Sequence, residues 1–331
     1  MVVSVYAPAS IGNVSVGFDL LGAAIQPITG ELLGDVVHVK VCHPLPSHQV
    51  DNTQTHQVSL LINGPFADKL PVEAEQNIVV MCARYFLEQV TKQPYQLELA
   101  LDKNLPVGSG LGSSASSVVA TLKALNLAFD DVLCNSDLLK LMGEFEGKIS
   151  GEIHYDNVAP SFLGGLQLML TDLEEVSSSI PAIPNWYWIV AYSGHSLSTK
   201  TMRSLLPKQC ALQTSLEAMQ RLAQFVHASH SGNAEMAAKA LVDVIAEPAR
   251  AEAIPGFVNA KQALQNIGVL ASGISGSGPT LFAVTDNLAL AEEAQTYLEQ
   301  NYVESQLSGF SHICKIDNQG CRSIDTADQK E

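Results

Sequence analysis

The sequence predicts an α+β protein of two domains, and three observations carry that expectation. The chain has 331 residues, and domains of about 100–200 residues make two units the natural division. Segments with the two-residue period of strands and the 3.6-residue period of helices occur in both halves. Between the halves, the stretch from Glu174 to Pro184, with three serines and two prolines, reads as a domain boundary.

Composition narrows the class. There are 18 basic and 34 acidic side chains, a formal net charge of −16, and only 16% of the residues are charged. A nucleic-acid binder needs an excess of Lys and Arg to release counterions from phosphates, so that class is excluded. An apolar fraction of 47% and a mean hydropathy of +0.14 exclude disorder. The N-terminal Met1-Val-Val-Ser-Val-Tyr-Ala-Pro has no basic region ahead of a long apolar run, so no signal peptide is expected. No stretch approaches the ~18 apolar residues of a membrane span. A cytoplasmic protein that engages neither nucleic acid nor membrane is the expectation. The six cysteines are scattered without a C-x-x-C pair and read as reduced thiols. His227 and His230 lack a nearby Cys, Asp or Glu to complete a metal site and read as helix-surface residues.

The elements follow in order. Val36–Val41 reads as a strand, and the polar run Ser47–Gln57 as a solvated loop. Asn77–Gln89 has a helical pattern. Tyr95, Leu97, Leu99 and Leu101 alternate with polar or small residues, as in a half-buried strand. A glycine-rich run follows, and then Val118, Leu122, Leu125 and Phe129 recur at helical spacing. A second helix spans Leu138–Ile149, and Gly164–Leu170 reads as a buried strand. In the second half, Trp186–Tyr192 is strand-like, and helices are expected over Leu212–Ser229, Ala234–Ile245 and Gly256–Ile267. Leu270–Val284 carries a second glycine-rich turn, and residues 317–331 read as a polar tail.

The most informative segment is Gly108-Ser-Gly-Leu-Gly-Ser-Ser-Ala-Ser-Ser117, placed between a strand and a helix. Glycines allow backbone N–H groups to turn toward a ligand, and the helix N-terminus adds positive potential, so this is an anion site that needs no lysine. A Walker loop is excluded, because no lysine follows Gly112. Gly110-x-Gly112-x-x-Ala115 matches a relaxed dinucleotide fingerprint, but no acidic strand end follows about twenty residues on. A Gly-x-Ser-x-Gly elbow is absent. The segment points to phosphate without saying which phosphate.

In the helix Leu138–Ile149, Leu138, Met142, Phe145 and Ile149 build the apolar stripe. At about 100° per residue Glu146 projects within ~20° of Leu139 and ~40° of Met142, on the core side. An inward carboxylate must be paired or hold a cation. If this helix packs beside the glycine loop, Glu146 and a loop serine can hold Mg²⁺ between hard oxygen ligands.

Three segments, Ala7–Gly22, Pro106–Ala115 and Gly273–Thr280, resemble the three ordered motifs of the GHMP kinases. The segment Glu146–Pro160 is similar to the signature of the homoserine kinases within that superfamily, and the resemblance runs from Val3 to about Lys315. It implies a ribosomal-protein-S5-domain-2-like, ATP-binding half over residues 1–172 and a ferredoxin-like half over 173–316. The implied activity is transfer of the ATP γ-phosphoryl group to the side-chain hydroxyl of L-homoserine, a small-molecule substrate, in threonine biosynthesis; a homodimer is left open.

Carried over by residue, the resemblance implies that Pro106, Val107, Gly108, Ser109, Gly110, Leu111, Gly112, Ser113, Ser114, Ala115 and Ser116 cradle the ATP phosphates. Ser114 and Glu146 would bind Mg²⁺, and Asn77 would line the adenine pocket. Asn13, Asp19, His154, Asn157, Thr199, Arg203 and Arg250 would surround the amino acid. The chemistry agrees, since two arginines suit a carboxylate and Asp19 suits an ammonium. Relatives of the mevalonate kinase type carry an aspartate base where this chain has Asn157. Asparagine cannot take a proton, so positioning and charge stabilisation are expected to carry the reaction. Asp156, in an extended segment, is expected to point away. Phosphorylation of another small alcohol, or a catalytically silent binding protein of the same fold, are the alternatives.

Overall fold

Strands form where apolar and branched residues alternate or run together, and helices where apolar residues recur at a 3.6-residue period, some of them behind a side-chain cap from Asn77, Ser198, Asn233 or Asn287. The computed structural model describes residues 2–44, 56–71, 73–91, 94–171, 174–304 and 307–325. The first half contains β1 (Val2–Pro8), β2 (Ser10–Gly12), β3 (Leu21–Pro27), β4 (Gly34–Pro44), β5 (Gln57–Asn63), α1 (Ile78–Val90), β6 (Tyr95–Asp102), α2 (Ser113–Ala128), α3 (Asn135–Ser150), α4 (Val158–Leu163) and β7 (Leu166–Met169). The second contains β8 (Ser177–Ile180), β9 (Tyr187–Tyr192), α5 (Thr199–Ser204), α6 (Leu212–Ser231), α7 (Ala234–Ala240), α8 (Ala246–Arg250), α9 (Phe257–Ile267), β10 (Ala271–Ile274), β11 (Leu281–Thr285), α10 (Leu288–Asn301), β12 (Phe310–Ile316) and β13 (Arg322–Ser323).

Two sheets organise the chain. The first has the order β13-β1-β4-β6-β5, antiparallel except for the parallel pair β5–β6. One of its faces packs against α1, α2 and α3, where Val37, Val39, Leu97 and Leu99 meet Val79, Phe86, Val118, Leu122, Leu138 and Met142. The second has the order β10-β11-β9-β12-β3-β7-β8, with β2 paired to β3. Trp188 and Val190 of β9 face Phe225 and Ala237 from α6 and α7, while Ile189 and Ala191 face Phe257, Leu264 and Leu298 from α9 and α10. Burial on both faces explains why β9 and the Leu281–Val284 stretch of β11 are continuously apolar.

Several expectations are revised. The second sheet draws on both halves of the chain: β3 pairs with β12, with Gln26 opposite Lys315, because strand pairing ignores sequence distance. The serine-rich stretch holds β8, which pairs with β7. The polar tail is built in as far as it is described: Asp317 is buried, and Tyr6 lies opposite Arg322. Residues 326–331, and 47–55 of the expected loop, lie outside the described residues. The helix expected over Ala234–Ile245 stops at Ala240, because the Asp243 carboxylate accepts from the N–H groups of Ile245, Ala246 and Glu247 and starts α8 instead.

Candidate active site

The first glycine-rich segment, the start of α2, the end of α3, the start of α4, α5, α8 and the loop after β10 enclose one cleft of about 840 Å³. The glycine loop is held by its carbonyls. Ser196 Oγ donates to Val107 O (2.7 Å), Leu197 N to Gly108 O (2.9 Å), Thr280 N to Ser109 O (3.0 Å) and Ser275 Oγ to Gly110 O (2.7 Å). Gly110 sits at φ +83°, and a Cβ there would lie 2.4 Å from Ser275 O. Only glycine fits this close approach.

Val107, Gly108, Ser109, Gly110, Gly112, Ser113 and Ser114 line the cleft. Pro106, Leu111, Ala115 and Ser116 are buried and do not line it. Ser116 Oγ instead donates to Ala7 O (2.7 Å), tying α2 to β1. Glu146 lies where its helical phase predicts, facing the Ser114 hydroxyl. Burial pushes its carboxyl up, opposed by Ser114 and by the charge of Lys103. Ile149, expected on the apolar stripe, is instead 51% exposed and lines the cleft, because α3 is leaving the core there.

All the residues expected around an amino acid line the same cleft: Asn13, Asp19, His154, Asn157, Thr199, Arg203 and Arg250. Arg203 Nη2 is 2.7 Å from Asp19 Oδ2 and 3.1 Å from Glu152 Oε2. His154 Nδ1 is 3.8 Å from Asp19 Oδ1. Arg250 is buried, and its guanidinium donates to Gly276 O (3.1 Å) and Met202 O (3.2 Å). Asn13 Nδ2 donates to that same Gly276 O (2.9 Å), and its Oδ1 accepts from Asp19 N (2.8 Å). Asn13, Val14 and Ser15 are consecutive left-handed residues, a strained turn of the kind held at functional sites.

Two family descriptions match the chain, GHMP kinases N terminal domain over residues 77–165 and GHMP kinases C terminal over 216–304. Homoserine kinase of Buchnera aphidicola subsp. Schizaphis graminum (strain Sg) is 47% identical over 97% of this chain and 99% of its own length. The chain belongs to the homoserine kinase family of GHMP kinases. The homoserine kinase of Buchnera aphidicola subsp. Acyrthosiphon pisum (strain APS) is 46% identical over the same shares. The crystal structure of homoserine kinase from Cytophaga hutchinsonii ATCC 33406 superposes with a TM-score of 0.83 at 30% identity, covering 98% of this chain and 97% of that one.

In this GHMP kinase Asn157 is fixed on both sides of its amide. Oδ1 accepts from Ser10 Oγ (2.9 Å), and Nδ2 donates to Asp156 Oδ2 (3.2 Å). Asp156 therefore does not point away: the two residues lie in the turn that starts α4, not in an extended segment, and both face the cleft. Burial, then the charges of Asp19 and Glu146, push the Asp156 carboxyl up to about 7.

Sequence reasoning also missed Lys103, which lines the cleft although the anion site was expected to need no lysine. A cation ending an alternating strand just before a glycine loop was the available signal. Phe18 was missed as well; its ring lies 5.8 Å from the Arg203 guanidinium and 5.6 Å from that of Arg250.

The residues present fit a nucleotide and a divalent cation. Asn77 Oδ1 caps α1 by accepting from Val79 N (2.9 Å). Its buried Nδ2 has no hydrogen-bond partner among the described residues and lines the cleft, which suits an acceptor on a base. Among the described residues no group of three or more His, Cys, Asp and Glu could hold a metal alone. Glu146 and the Ser114 hydroxyl suit a cation whose remaining ligands are phosphate and water oxygens.

Proposed function

We propose that this chain transfers the γ-phosphoryl group of ATP, with Mg²⁺, to the side-chain hydroxyl of L-homoserine, forming O-phospho-L-homoserine for threonine synthesis. The observation that carries the reading is that Asp19, Arg203 and Arg250 share one cleft with the glycine loop. An acid for an ammonium and two arginines for a carboxylate thus stand beside a phosphate-binding backbone.

MgATP supplies the phosphoryl group and neutralises much of its charge when bound. Asp19 and the arginines orient the amino acid so that its side-chain hydroxyl lies near Asn157. The glycine-loop amides and the α2 N-terminus stabilise charge on the transferring group. A loose phosphoryl transition state asks little of a base, so Asn157 orients the hydroxyl without taking its proton, which passes to a phosphate oxygen or to water as the new O–P bond forms and the bond to ADP breaks. A second reading, with Asp156 as proton acceptor, is favoured by its buried carboxyl in the same cleft.

Coupled ADP release with homoserine and a panel of other small alcohols tests the substrate. Turnover on another alcohol with none on homoserine would overturn it. Cytoplasmic action belongs to the same proposal, supported by the finding that among the described residues no helix is long and apolar enough to cross a membrane. A homodimer is a further part of it, read by light scattering.

A further inference from the structure

Asp35 and Lys103 are both buried, at 0% and 1% exposure, and form an ion pair beneath the start of α2. Lys103 Nζ donates to Asp35 Oδ2, to Ser113 O (2.9 Å) and to Ser117 Oγ (3.0 Å), which uses all three ammonium hydrogens. Asp35 Oδ2 also accepts from Ser117 Oγ (2.6 Å), and Oδ1 accepts from the N–H groups of Asn104 (2.9 Å) and Leu105 (3.0 Å). One carboxylate at the start of β4 thus ties the segment leading into the glycine loop to the helix turn leading out of it.

The pair has a direction. Lys103 lines the cleft and Asp35 does not, so the positive end faces the phosphate site. Its charge reaches the Glu146 carboxyl, which it pulls down against desolvation. A buried pair is seldom the most stable way to fill a core, and apolar residues of similar volume often do as well. Placed under a phosphate loop in a chain of net charge −16, the pair adds a fixed cation to the α2 N-terminus.

We propose that Asp35 is a positioning residue for phosphoryl transfer, holding Lys103 and both ends of the glycine loop so that one fixed positive charge stands beneath the phosphates. This rests on the cleft being the nucleotide site. With its three hydrogens engaged, Lys103 acts through space, and Asp35 determines where its charge sits.

The test compares the wild type with D35N, K103M and the neutral double variant D35N/K103M. Steady-state kinetics are measured together with calorimetric binding of MgADP and of adenosine. D35N and K103M are each expected to lower kcat/KM for MgATP about 30-fold or more, with KM for homoserine within about twofold. MgADP affinity should fall in step while adenosine affinity holds. The double variant should lose no more than the worse single variant, because the two residues act as one unit. A folded D35N with unchanged kcat/KM for MgATP, or one that binds MgADP more tightly, overturns the proposal. If D35N fails to fold, the double variant decides: full kcat/KM for MgATP overturns the proposal, and a 30-fold loss with adenosine binding retained supports it. A wild-type protein that binds neither MgADP nor adenosine overturns the nucleotide reading of the cleft itself.

Discussion

Arg203 Nη2 lies 2.7 Å from Asp19 Oδ2, and Nη1 lies 3.4 Å from Oδ1. The two groups proposed to hold opposite ends of the substrate therefore hold each other. An amino acid binding between them replaces one ion pair by two, with its carboxylate on the arginine and its ammonium on the aspartate. Recognition on this arrangement requires both charges of the zwitterion.

Asp19→Asn and Arg203→Met should each raise KM for homoserine about 30-fold or more, the cost of leaving one partner of a close charge pair alone. Turnover at saturation should change less than tenfold. An analogue of homoserine lacking the carboxylate should be discriminated against by the wild type and hardly at all by Arg203→Met. Steady-state kinetics with both acceptors reads this out.

Glu146→Gln should trade activity for stability. Burial raises the folded-state pKa of this carboxyl, so its ionised form costs folding free energy above that pKa. Without Mg²⁺ at neutral pH the variant should melt higher than the wild type. Its kcat should fall about 100-fold or more, because the proposed cation loses its anionic ligand. A lower melting temperature with unchanged Mg²⁺ dependence would contradict the assignment.

Asp156→Asn distinguishes the two mechanisms. General-base catalysis contributes roughly 10²- to 10⁴-fold, and the positioning mechanism predicts that kcat falls by less than about 100-fold. The same variant reports on linkage. With its carboxyl raised from 3.8 to about 7, folded protein binds more protons than unfolded protein between those values. Stability measured without nucleotide or Mg²⁺ should therefore fall as pH rises across that window, and Asp156→Asn should flatten the dependence. Thermal melts from pH 4.5 to 8 check the sign.

Gly110→Ala should abolish most activity, since its Cβ would meet the Ser275 carbonyl at 2.4 Å in a left-handed backbone conformation. Gly151→Ala is the control. That residue, at φ +92°, has nothing within 4 Å of an added Cβ, so it should lose only about 1 kcal/mol of stability to the left-handed conformation and keep its turnover. Melting curves and ADP release on the two variants separate crowding from conformational strain.

The amino-acid sequence by itself determined what short-range periodicity and motif chemistry can reach. The strand–glycine loop–helix unit from Tyr95 to Phe129, the inward face of Glu146 and cleft residues such as Asn13, Asp19 and Asn157 were legible, because each follows from spacing within a few turns or from an ordered motif, whereas Lys103 and Asp156 in the same cleft were not. Pairing between distant segments was not. Nothing local announces that β3 joins the second sheet or that Arg322 lies opposite Tyr6. The site shows the same limit. Asp35 and Lys103 are 68 residues apart, and Asp156 turns into the cleft only because α4 begins there. Electrostatic pairing and burial depend on which side chains meet in space, and only the tertiary structure decided that.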